Sequence, residues 1–308
     1  MQKRWDVLGV GCTAVDDLLY VQSYPPADAK VAVERRERQC GGLTATALVA
    51  AARQGAQCAY AGALGEDELS LFVLAAMTRE RVDVSPVGHH DQAGPFHSTI
   101  IVDQTAHTRN IFFQSPAVVG PIATTPTDEQ VRAARVLLID HYGGLSTVRV
   151  QKAARDAGVS IVADLEREDC PQFQEILRLS DHLIISQRFA AKISECPAPA
   201  DAAAALLRPE NQAVVVTCGP QGCWAIGRGQ SQPRHFPAFA VDAVDTTGCG
   251  DTFHGVYAAE LARGASLAQC IRRASAAAAL KATCRGGQKG IPTRDVVDRF
   301  LQTSEGHA

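Results

Sequence analysis

Residues 241–262 read VDAVDTTGCGDTFHGVYAAELA, and this stretch decides how the rest of the chain is read. Apolar residues alternate with polar ones up to Val244, a Thr-Gly-Cys-Gly turn follows, and Phe253, Val256, Tyr257 and Leu261 then recur at helical spacing. Gly248 and Gly250 permit backbone angles that other residues resist, so consecutive N–H groups can converge on one point. That point is a helix N-terminus, where unpaired amides and the macrodipole favour an anion. Asp251 brings a carboxylate to the same place. Taken alone, a Gly-x-Gly-Asp run is a tight turn with a capping Asp. A turn that gathers negative charge and also holds a base suits phosphoryl transfer, where positioning and charge stabilisation do most of the work.

Composition sets the frame. At 308 residues with 46% hydrophobic residues, the chain can bury a large α/β core. A net charge of −3 and the absence of a basic block argue against a nucleic-acid surface. Arg35, Arg36 and Arg38 alternate with Glu34 and Glu37, which reads as a solvated strand face. Ten cysteines are scattered without Cys-x-x-Cys pairs, so they read as small buried hydrophobes in a reducing cytosol rather than as zinc ligands. No signal-peptide pattern or membrane-length apolar run is present, and the expectation is a soluble, cytoplasmic protein without a membrane partner.

Trp5–Val10 reads as a central strand, and residues 9–14 match the G-x-G-x-x-A dinucleotide fingerprint. The fingerprint needs a helix to open at its end. Here Asp16-Asp17-Leu-Leu-Tyr-Val and then Ser23-Tyr-Pro-Pro26 follow, so the dinucleotide reading is rejected. Asp16 is expected at the C-terminal end of that first strand, where open α/β sheets place ligand groups, although an Asp in a turn is also an ordinary cap. Lys30–Arg38 alternates with little apolar bulk and reads as an exposed strand. Gly41-Gly42 precedes an alanine-rich helix from Leu43 to Gln54. Phe96–Val102 and Arg109–Phe113 form a hairpin across Asp103–His107, and join the Lys30 segment in one small projecting sheet. Its open edge and Phe112-Phe113 want a partner surface. From Ala134 to Thr217 strands and helices alternate, which means a parallel sheet covered on both faces. Small residues at Ala274 and Ala276–Ala279 leave room for either a neighbouring helix or a purine. Thr303–Ala308 reads as a frayed end.

The heptad Asp245-Thr-Thr-Gly-Cys-Gly-Asp251, with Thr252-Phe253 after it, resembles the signature of the ribokinase-like (PfkB-type) sugar kinases. Gly41-Gly42, Gly65-Glu-Asp67, Thr217-Cys-Gly219-Pro-Gln-Gly222 and Cys284-Arg-Gly-Gly287 resemble further family motifs, so the likeness covers almost the whole chain. It implies a ribokinase-like three-layer α/β/α sandwich, a mostly parallel sheet plus a small β-sheet lid. One kinase domain would span 1–308, with lid strands inserted at about 17–38 and 94–114. The implied reaction is transfer of the γ-phosphate of ATP to a hydroxyl of a small carbohydrate. Asp251 would be the base and the amides of Gly248, Cys249, Gly250 and Asp251 the anion hole. Asp16, Gly41, Gly42 and Thr46 would hold the sugar, with Lys30 and Arg109 as lid candidates. Ser186, Thr217, Gly219, Gly222, Ala278, Lys281 and Gly287 would face the nucleotide. Mg2+ and a monovalent K+ are the implied ions, with Asp245 and Thr247 as the metal candidates, and a homodimer through the lid is the implied assembly.

Several family positions differ. Cys249 replaces an alanine whose amide alone is needed. Ala14 and Thr46 replace sugar-side asparagines, which weakens a ribose-type assignment. Ser186-Gln-Arg-Phe189 replaces an Asn-x-x-Glu tied to Mg2+ and phosphate, so a carboxylate is missing there. Gly250–Gly255, Ala279-Leu-Lys281 and Gly286–Pro292 look most like the branch that includes sulfofructose kinases. The Asp140-His-Tyr142 strand end offers no arginine for a sulfonate, and the sugar stays open. A nucleoside kinase, or a sugar- or nucleotide-binding regulator on the same fold, are the other two readings.

Overall fold

Runs of β-branched residues with no polar face have to be covered on both sides, and such runs build the middle layer here. The computed structural model describes residues 3–106 and 108–305. In chain order the elements are β1 (Trp5–Val10), β2 (Ala14–Val21), β3 (Arg35–Gly41), α1 (Leu43–Arg53), β4 (Cys58–Tyr60), β5 (Ala63–Leu64), α2 (Glu68–Arg79), β6 (Val82–Asp83), β7 (Gly88–His89), β8 (Phe96–Asp103) and β9 (Thr108–Gln114). There follow α3 (Asp128–Arg132), β10 (Ala134–Asp140), α4 (Leu145–Asp156), β11 (Ser160–Asp164), α5 (Phe173–Leu179), β12 (His182–Ser186), α6 (Gln187–Ser194), α7 (Pro199–Leu206), β13 (Ala213–Thr217), β14 (Cys223–Gly227), β15 (Arg234–Phe236), α8 (Cys249–Ala262), α9 (Leu267–Ala282) and α10 (Arg294–Glu305).

The large sheet has nine strands in the order β15-β14-β13-β12-β11-β10-β1-β4-β6. It is parallel from β13 to β6, and the β13–β14–β15 edge is antiparallel. Side chains alternate between two cores. Val7, Leu138 and Val162 join α1, α2, α8 and α9 on one face, while Leu8, Leu137 and Ile161 join α4 to α7 on the other. The chain is thus a three-layer α/β/α structure. A four-stranded lid sheet, β3-β2-β8-β9, stands beside it.

The structure departs from expectation in three places. β1 ends at Val10, and Asp16 is the third residue of β2 rather than the end of β1. That a strand and not a helix follows Gly11 agrees with rejecting the dinucleotide fingerprint. The basic strand runs over Arg35–Gly41, not Lys30–Arg38, because β2 pairs Tyr20 with Arg35 and ends at Val21, so the ladder closes with the Glu34 N–H on the Tyr20 carbonyl. The hairpin forms as expected, although His107 of its turn lies outside the described residues. At the far end, Thr303–Glu305 continue α10 instead of fraying, and residues 306–308 lie outside the described residues. Arg38 pairs with Asp17 and Glu68, as a solvated strand face should. All ten cysteines are unpaired. Among the described residues, no helix is long and apolar enough to cross a membrane.

Helices α1 and α8 lie in contact, and they meet where α8 carries Gly255. A Cβ there would overlap the Ala47 carbonyl oxygen of α1, which is backbone and cannot swing aside. Gly250, one turn earlier, has no such neighbour within 4 Å. Gly255→Ala is therefore expected to destabilise by about 3 kcal/mol and lower Tm by roughly 5 °C. Gly250→Ala should stay within about 0.5 kcal/mol of wild type. Thermal unfolding of the two variants checks the contrast.

Candidate active site

The start of α8 forms as the glycine pattern requires. Gly248 caps the helix at φ 77°, a left-handed geometry, and a Cβ on it would lie 2.5 Å from the Gly287 carbonyl oxygen. The loop before it is held by Asp245, whose two carboxylate oxygens accept the Thr247 N–H at 2.9 Å and the Gly286 N–H at 2.8 Å. Burial works to raise the Asp245 carboxyl, but those amides and the Lys281 charge outweigh it and hold it below the usual range. The Cys249 N–H closes the turn on the Thr246 carbonyl at 3.2 Å. Gly250 and Asp251 stand in the first turn, where a helix supplies no partner for its own amides.

Beneath them lies a group of acids. Asp140 ends β10 and is fully buried. Its carboxylate accepts the Cys12 N–H at 2.7 Å, the Thr44 hydroxyl at 2.9 Å and the Tyr142 N–H at 2.9 Å, so it is satisfied. Asp164 ends β11 in register with it. Burial raises the Asp164 carboxyl well above its ordinary value, with the charges of Glu166 and Asp140 adding. Burial likewise raises Asp251, the Asp164 charge adds, and His254 opposes. His254, 5% exposed on the next turn of α8, puts Nδ1 2.8 Å from the Gly250 carbonyl and 3.4 Å from Asp164 Oδ2, and Nε2 3.0 Å from the Ile184 carbonyl.

On the acceptor side, Asp16 lies against Gly41, where a Cβ would sit 2.8 Å from its Oδ2, and burial raises its carboxyl against a Ser98 hydrogen bond. Gly42 caps α1 at φ 93° and allows no Cβ against the Thr13 backbone. Arg109 reaches across from the lid and donates to Thr247 Oγ1 at 2.7 Å. Asp16, Gln39, Arg109, Asp245, Thr247 and Arg285 line one cleft of about 460 Å³. Four expected residues are not in its lining: Gly41 and Gly42 lie behind it, Lys30 is exposed in the irregular segment before β3, and Thr46 is buried with its hydroxyl accepting from Gln288 at 3.2 Å.

On the nucleotide side, Ser186 and Thr217 are register partners on β12 and β13. Ser186 caps α6, accepting the Phe189 N–H at 3.3 Å. Gly219 and Gly222 both have positive φ in the turn to β14, and a Cβ on Gly222 would overlap the Phe236 carbonyl. Ala278 and Lys281 lie on α9, and Gly287 touches Gly248. Glu166 and Glu168 line one cavity with Ser186 and Arg188, and Glu168 pairs with Lys192. Sequence reading missed Asp140, Asp164, Glu166, His254 and Arg285. A usable signal was present for two of them, since Asp140 and Asp164 each close a run of apolar strand residues, the edge where α/β sheets bind ligands.

Residues 7–294 match the pfkB family carbohydrate kinase model. The chain belongs to the pfkB family of carbohydrate kinases. A fructokinase of Klebsiella pneumoniae is 30% identical over 297 residues, covering 87% of this chain and 94% of its own. A ribokinase of Haemophilus influenzae is 25% identical over 309 residues, covering 98% and 99%. Among solved structures, Arabidopsis thaliana ribokinase complexed with ribose and ATP superposes with TM-score 0.85 at 23% identity, covering 98% and 99%. A Methanocaldococcus jannaschii nucleoside kinase gives 0.78 at 18%, covering 98% and 100%. At those identities the two structures share the fold alone, which here carries both sugar and nucleoside kinases.

Were Asp251 the base of this pfkB kinase, it would work only when ionised, and its raised carboxyl would place the acid limb of kcat/KM above the ordinary value of about 3.9. Asp164→Asn removes a neighbouring negative charge and should move that limb to lower pH. His254→Gln removes the opposing group and should move it higher. A carboxyl raised in the folded state contributes stability that is complete below the unfolded value and is lost as pH rises through the folded one. Asp164→Asn should therefore also raise Tm at neutral pH. Rate profiles and unfolding against pH check both signs.

Proposed function

We propose that this chain transfers the γ-phosphate of ATP to a hydroxyl of a small carbohydrate, with Asp251 as the base. Membership of a carbohydrate kinase family supports the reaction class. The observation that carries the residue assignment is the start of α8: a glycine-capped helix end with partly exposed first-turn amides and one carboxylate of raised proton affinity. Asp251 takes the proton from the acceptor hydroxyl as that oxygen attacks the γ-phosphorus and ADP leaves. The Gly250 and Asp251 amides, with the turn at Gly248 and Cys249, bear on the charge of the transferring group. Asp16 and the Gly41-Gly42 backbone orient the acceptor, and Arg109 links the lid to the phosphate turn.

For Mg2+, the donor chemistry favours Glu166, an exposed carboxylate beside Ser186, over Asp245, whose two oxygens are engaged by backbone amides. Bound there, Mg2+ supplies charge neutralisation to the phosphates. Arg109 and Arg285 line the cleft beside Asp16, Asp103 and Asp245 and offer two guanidiniums to a sulfonate, so sulfofructose belongs in the acceptor panel. Ile111, Phe112 and Phe113 on the free lid edge β9 are 50%, 56% and 63% exposed, which supports a homodimer through the lid.

Asp251→Asn should keep its fold and its ATP binding while kcat falls by about 10²- to 10⁴-fold. Turnover at the wild-type rate would show that the base lies elsewhere. ATP consumption with ketoses, aldoses, sugar phosphates, sulfofructose and nucleosides tells the sugar kinase from a nucleoside kinase or a regulator that turns nothing over. Light scattering of Phe112→Ser/Phe113→Ser should report a monomer where the parent is a dimer. An unchanged mass removes the lid from the assembly.

A further inference from the structure

Lys281 is the one lysine among the described residues that the fold buries completely, at 0% exposed, on the last turn of α9. A buried ammonium needs acceptors for its protons. Its Nζ donates to two backbone carbonyls, that of Asp245 at 3.0 Å and that of Cys284 at 3.1 Å. These belong to the two loops that meet at the phosphate turn. Val244 and Asp245 also donate to the Ala282 carbonyl, and Gly248 abuts Gly287. The Lys281 charge also bears on Asp245 and Cys249.

Neutral carbonyl oxygens from two loops, turned toward one buried positive charge beside a carboxylate, are the donor set of a monovalent-cation site. Here the charge at those oxygens is covalently attached. The set does not fit K+, because an ion drawing on the same carbonyls would lie against a like charge in a buried place. We propose that Lys281 is a tethered cation: a positioning residue whose ammonium holds the Asp245 and Cys284 loops together and so shapes the turn at Gly248–Asp251, making this kinase independent of K+.

The inference rests on the kinase reading for its meaning, and ATP binding tests it separately from acceptor turnover. In choline buffer free of alkali cations and ammonium, wild-type ATP affinity by titration calorimetry should change less than about twofold on adding K+. Lys281→Ala, which leaves space at the carbonyls, should bind ATP at least about tenfold more weakly in choline, and K+ or ammonium should restore most of the loss. Three results would overturn the proposal: wild-type affinity rising about tenfold with K+, Lys281→Ala binding like wild type without any cation, or a loss that neither cation restores. If the variant does not fold, the wild-type titration alone decides. A protein that passes these tests yet phosphorylates no acceptor refutes the kinase reading and leaves the role of Lys281 intact.

Discussion

The structure depends on a backbone contact between two helices. Because Gly255 has no side chain, α8 comes down onto the Ala47 carbonyl of α1. Both helices begin at the same edge of the large sheet, one at Gly42 and the other at Gly248. With the two axes pressed together, two glycine-capped N-termini each bring unpaired amides and a dipole to that edge. A separation larger by one methyl group would part the acceptor side from the phosphate side. Close approach of backbone, not the chemistry of any single side chain, brings the two halves of the site together.

Charge is the second constraint. Three strand- or helix-end carboxylates, Asp140, Asp164 and Asp251, gather beneath the cleft, and only Asp140 is fully satisfied by hydrogen bonds. The other two are costly to ionise together. That cost is what raises the proton affinity of both carboxyls. His254, beside the acids on α8, opposes it at Asp251, while the Lys281 charge on α9 acts behind the loops on Asp245 and Cys249.

Much of the fold was legible in local pattern. The helix after Gly41-Gly42, the lid hairpin and a helix opening at the glycine turn before Asp251 followed from glycine punctuation and periodicity; the structure has them there, with α1 ending at Arg53 rather than Gln54 and α8 already begun at Cys249 within the expected turn. The misses share a cause. Lys30–Arg38 alternated as a strand should, yet pairing begins only at Arg35, because the partner strand β2 runs out. Asp16 was assigned to the end of β1, because nothing local marks the crossing at residues 11–13 into a second sheet. Thr46 stood in place of a family asparagine and Lys30 was a lid candidate for its charge, but one faces Gln288 in the interior and the other solvent.

What the sequence determined by itself was the class of structure and the location of the phosphate turn. Periodicity and glycine placement act over a few residues and survive without knowledge of neighbours. Tertiary structure alone decided which charges meet. Asp140, Asp164 and Asp251 are brought together from positions up to 111 apart in number (251 − 140), and Lys281 spans 36 residues to reach the Asp245 carbonyl. Electrostatic and hydrogen-bond energies depend on separation in space, which strand order and helix docking set. A shifted carboxyl or a buried ammonium is therefore a property of the packed molecule, written in no single segment of it.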